Sequence, residues 1–143
     1  LAPLLIVIEQ DPMNTTTEKK VHITDLHNDH ELWLNKLAFC KEEISILEHR
    51  MEEIAKRNTG YEVMAELEHF QNQYIRQREV IDELRHELKL HENGLAKESI
   101  EHPIAIDHRL FTDHTTHRGA METFDKLYYE LKSEFMQWLV KRM

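Results

Sequence analysis

Histidine dominates the chemistry available to this chain, with eleven in 143 residues. His-x-x-His occurs twice, at His27/His30 and at His114/His117. On a helix, side chains at i and i+3 project from one face, so each pair can present two imidazoles to a common point. His91 follows Glu87 by four residues and repeats that geometry with one nitrogen donor and one oxygen donor. Neutral imidazole is a good ligand for zinc, copper, iron and nickel. Three or four such nitrogens at one layer would make a tetrahedral site, with Glu87 as a possible oxygen ligand.

The elements that must position these residues follow from apolar spacing. From Leu26 a 4-3 stripe runs through His30, Trp33, Leu37, Cys40, Ile44, Leu47, Met51 and Ile54. A second runs Val63, Leu67, Phe70, Tyr74, Gln77, Ile81, Leu84, Leu88, His91 and Leu95. A third runs Leu110, His114, His117, Met121, Phe124, Tyr128, Leu131, Phe135 and Trp138. Strand alternation does not fit stripes of this length, whereas long helices do. The spacing predicts helices over 25–58, 61–92 and about 107–141, the first capped by Thr24 or Asp25. Asn58-Thr59-Gly60 and Asn93-Gly94 mark stops. Residues 95–106 read as irregular or as a short helix, with Pro103 biasing His102 away from helical geometry and Asp107 available as the next cap. Gly119 lies inside the third stripe at a cost of about 1 kcal/mol relative to Ala, and the helix is expected to continue through it. Apolar residues flank each seam, as in a bundle rather than a two-stranded coil. The predicted fold is all-α: an elongated antiparallel up-down-up bundle of three long helices with coiled-coil-like heptad packing.

A turn near residue 60 sets position n of the first helix beside about 120 − n of the second, so His30 falls beside His91. If the third helix runs back parallel to the first, an offset of about 84 sets His30 level with His114 and Trp33 level with His117. His30, His91, His114 and His117 then share one end of the core. A buried polar group left unsatisfied costs about 1–3 kcal/mol. Four together would cost roughly 4–12 kcal/mol, comparable with a domain's whole stability of about 5–15 kcal/mol. They must therefore be hydrated at an open end, hydrogen-bonded, or bound to metal. The plainer expectation is a hydrated, hydrogen-bonded bundle end. The alternative is a metal site for zinc or iron on these four histidines, and a pH sensor is a third reading.

Glu66-x-x-His69 and Glu83-x-x-His86 have the form of di-iron carboxylate ligands, and His49-x-x-x-Glu53 has hemerythrin-like spacing. Both Glu-x-x-His pairs, however, fall on one helix 17 residues apart, turned by about 260° from each other, and none of these histidines is on a seam. They read as solvated faces. Phe70, Tyr74, Phe124, Tyr128, Phe135 and Trp138 read as core packing. Gln77 must be paired or lie at a dimer seam, since a lone buried amide is costly.

Composition narrows function further. The formal charge is −9, with only three Gly and three Pro. That balance argues against nucleic-acid binding, which needs clustered Lys and Arg. The basic residues Arg50, Lys56, Arg57, Arg76 and Arg78 are interleaved with acids. Neither a Gly-rich phosphate loop nor a nucleophile elbow is present, so the chain does not read as an enzyme; only a metal site would support catalysis. Cys40 is the single cysteine and sits on a seam, reading as a small buried hydrophobe in a cytoplasmic protein. The opening run LAPLLIVI is far shorter than the roughly 20 residues that span a bilayer, and no membrane association is expected. Residues 1–12 read as an extension upstream of Met13, residues 1–20 as disordered or extended, and 21–143 as one bundle domain. The leading functional expectation is a non-enzymatic interaction or scaffold protein, acting on a protein partner or on itself; the metal-binding bundle is its alternative.

Overall fold

The computed structural model describes residues 15–101 and 108–142, with side chains described over 23–101 and 109–142. The expected upstream extension 1–12, and His102, Pro103 and Asp107 in the second connection, lie outside the described residues. Three helices, α1 (Thr15–Arg57), α2 (Tyr61–Glu101) and α3 (His108–Arg142), account for the regular structure, and no strand occurs among the described residues. At 43 residues, α1 is about 65 Å long. The α1–α2 turn forms where Asn58-Thr59-Gly60 predicts it. There the Asn58 backbone N–H and its side-chain amide both donate to the Ile54 carbonyl, at 3.0 and 3.1 Å, satisfying an acceptor that the helix end would leave open.

The seams are the core. Leu37, Ile44, Met51, Tyr74, Ile81, Leu88 and Phe135 are fully buried, each side chain contributing about 1.5–3 kcal/mol by leaving water. Aromatic rings fill the end nearest the α1–α2 turn: Phe70 meets Phe135 edge-on at 5.2 Å, and Phe135 stacks on Trp138 at 5.9 Å. α2 packs on both other helices. α1 and α3 run parallel and are tied by side chains: Lys36 to Asp125 at 2.7 Å, Lys132 to Glu43 at 2.9 Å, and the Tyr128 hydroxyl donating to Glu43 at 2.7 Å. Lys41 to Asp82 at 2.7 Å plays the same part between α1 and α2. Half-exposed pairs of this kind contribute little energy each, but they fix which layers meet.

Two local expectations need correcting. α1 starts at Thr15, not at a Thr24 or Asp25 cap, so residues 15–20 are helical rather than extended. The Thr15-x-x-Glu18 spacing is itself a helix-start pattern. α2 runs straight through Asn93-Gly94 to Glu101. Leu95, one residue beyond, is buried, and its burial outweighs the roughly 1 kcal/mol that a helical glycine costs. The Gln77 carbonyl, expected to be paired if it is not at a dimer seam, is unpaired among the described residues. Gln77 lies inside the three-helix core at 9% exposure. α3 is continuous through Gly119, as expected.

Candidate metal centre

At the end of the bundle far from the α1–α2 turn, the seams carry histidine in place of leucine. His30 comes from α1, His91 from α2 and His114 from α3, and all three are buried. Their ring centroids lie 4.9 Å apart for His30–His91, 5.1 Å for His30–His114 and 5.8 Å for His91–His114. One ligand nitrogen from each lies within 4.8 Å of the other two. His117, a turn beyond His114, packs edge-on against His91 at 5.0 Å. All four histidines read from the seams share this end of the bundle, three of them within ligand distance of one another, and the parallel α1–α3 register holds: Trp33 stacks on His114 at 4.9 Å. Glu87 is not in the cluster; it stands outside, 4.0 Å from His117 Nε2.

The orientation of each ring decides what the cluster can do. His91 Nε2 donates to the Leu110 carbonyl at 3.0 Å. A carbonyl only accepts, so this nitrogen carries the proton and neutral His91 presents a lone pair at Nδ1. His30 Nδ1 donates to a Glu92 carboxylate oxygen, which leaves a lone pair at Nε2. His114 Nε2 donates to Asp29 at 2.9 Å. Arg118 lies 3.3 Å from the same nitrogen, but it too is a donor converging on Asp29. His114 Nδ1 is therefore the lone-pair nitrogen, and it is buried without a hydrogen-bond partner among the described residues. The inward nitrogens of His30 and His91 are 2.9 Å apart, lone pair facing lone pair when both rings are neutral. One proton could serve that pair; it could not also serve His114.

Burial pushes the pKa of His114 down to about 4 despite the Asp29 hydrogen bond. Burial likewise lowers His91, with His30 adding to the effect, and lowers His117. These rings are neutral at pH 7, the form that ligates metal. Burial opposes ionisation of Glu92, yet hydrogen bonds from His30 and His27 prevail and hold its pKa below the usual range. His27 itself is half-exposed and is raised by Glu92, so it belongs to the rim.

Asp29 and Glu92 orient the rings, and neither was picked out from sequence. Each adjoins a seam histidine, as Asp29-His30 and His91-Glu92. Neighbours on a helix are about 100° apart, which directs these carboxylates across the helix boundary to rings on a different helix. A carboxylate flanking a core histidine was the available signal. His49, His69 and His86 are exposed, as expected from their positions off the seams. Comparison with protein-family models, curated proteins and solved structures finds no match, and no helix among the described residues is long and apolar enough to cross a membrane.

Proposed function

We propose that this protein is a metal-binding helical bundle, with zinc or iron held by His30 Nε2, His91 Nδ1 and His114 Nδ1. The observation that carries the reading is that one nitrogen from each of three buried histidines on three helices lies within 4.8 Å of the others, while each ring also hydrogen-bonds outward, to Glu92, to the Leu110 carbonyl or to Asp29. Metal-ligating histidines almost always donate their other N–H in this way, which fixes tautomer and ring angle. Charge supports a dication. The carboxylates of Asp29, Glu87, Glu92 and Asp113 outnumber the guanidinium groups of Arg109 and Arg118 around the cluster. Ligand nitrogens at about 2.0–2.1 Å from zinc lie within about 3.5 Å of one another, so the rings close by roughly an ångström on loading.

Thermal unfolding at pH 7.5 with and without zinc, iron or copper tests the site. Metal at 100 times its Kd adds about 2.7 kcal/mol, and that gain disappears in the His30→Ala/His91→Ala double variant. An unmoved Tm with all three metals overturns the reading and leaves a hydrogen-bonded bundle end. A cytoplasmic setting accords with a single buried thiol, Cys40.

A second reading, self-association through a helix face, is favoured by Leu32, Phe39 and Ile46. They recur every seven residues on the outer face of α1 and are 67%, 61% and 68% exposed. Sedimentation tests it: the wild-type chain self-associates and Phe39→Glu is monomeric, whereas a wild-type monomer at high concentration removes the support.

A further inference from the structure

We infer that His117 is the fourth ligand and that the centre it completes is closed, a structural four-imidazole site in place of a catalytic site with water in the fourth position. This rests on the metal-binding reading above. His117 stands just outside the group of three nitrogens that meet within 4.8 Å, with a carboxylate on its outer side as His30 and His114 have. Its Nε2 faces outward to Glu87 at 4.0 Å, and its Nδ1 is buried with no hydrogen-bond partner among the described residues. It follows His114 by three residues on the same face of α3 and packs edge-on against His91.

The surroundings indicate what His117 separates. A cleft of about 480 Å³ opens beside the cluster, lined by Glu87, His91, Arg109, Asp113, Thr116 and His117 among others. His30 and His114 do not line it. Of the four histidines, His91 and His117 line the cleft, which sets the His117 ring between the cleft and the buried His30 and His114. A zinc site with three protein ligands keeps a position for water or substrate, whereas one with four does not. Turning His117 Nδ1 toward the metal fills that position and brings Nε2–H toward Glu87, which then orients it as Glu92 orients His30. The resulting chemistry is retention of the metal as a clamp across three helices, with no metal-bound water to act as a nucleophile.

Cobalt(II) tests this, because tetrahedral cobalt has intense visible bands that shift when an exogenous anion binds. The full-length protein loaded with Co²⁺ shows a tetrahedral spectrum that azide leaves unchanged. His117→Ala keeps a cobalt band, now shifted by azide, with far-UV circular dichroism confirming the fold. A wild-type band that shifts with azide overturns the closed site and leaves the three-histidine reading standing. A His117→Ala spectrum matching the wild type, with no azide response, overturns the role of His117. No cobalt band in the wild-type protein overturns both the inference and the reading on which it rests.

Discussion

Gln77 holds a seam position with its carbonyl oxygen buried and unpartnered among the described residues, a state that costs about 1–3 kcal/mol. Gln77→Leu is therefore expected to raise stability by about that amount in urea unfolding. A loss of stability would mean that the amide is satisfied in solution. Cys40 gives a second residue-scale expectation. Burial, reinforced by Glu43, pushes its thiol up to about 11, so iodoacetamide at pH 8 labels the unfolded chain and spares the native one; rapid native labelling would contradict this. The seam histidines were legible in sequence because core position follows from spacing alone. Their orienting partners were not, because which carboxylate meets which ring depends on how two helices are rotated about their axes, and the heptad repeat does not specify that angle to one residue.

Helix boundaries show the same division between pattern and competition. Asn93-Gly94 is a stop signal by local preference, yet α2 continues because Leu95 still has a core to enter. Asn58-Thr59-Gly60 is a comparable signal that succeeds, because there α1 and α2 must reverse direction. A turn preference is worth about 1 kcal/mol, and the burial available beyond it decides the outcome. Gly119 is the clean test of cost without compensation. It is exposed within α3, and a Cβ placed on it would meet nothing within 4 Å. Gly119→Ala should stabilise the bundle by about 0.5–1 kcal/mol, read as a higher urea midpoint with an unchanged slope. An unchanged or lowered midpoint would show that the helix bends there in solution.

Across the whole molecule, the buried acids of the core set a limit at high pH. Burial raises the pKa of Cys40 to about 11 and also raises Tyr74 and Tyr128, the latter helped by its hydrogen bond to Glu43. Each group ionises more readily in the unfolded chain than in the native one. Their stabilisation is thus fully present below the unfolded pKa, near 9 for the thiol and 10 for the phenols, and is lost as pH rises toward the folded values. Native stability should fall steadily from about pH 9 upward, Cys40 alone accounting for up to about 2 kcal/mol. Tyr128→Phe should lessen the fall; a stability flat to pH 11 would refute it.

The two tryptophans stand at opposite ends of this bundle, a separation of roughly 30 Å along the helix axes. Trp33 stacks on His114, lies 5.9 Å from His30 and has Arg118 over its face. Trp138 is set among Phe70 and Phe135, with its indole N–H donated to Glu66. The chain thus carries an optical pair: one fluorophore in van der Waals reach of the imidazoles, and one out of range of anything that happens there. A paramagnetic ion entering the histidine layer would darken Trp33 and leave Trp138 emitting as an internal standard. Trp33→Phe and Trp138→Phe separate the two emissions, so that occupancy can be followed in the unlabelled protein by its own light.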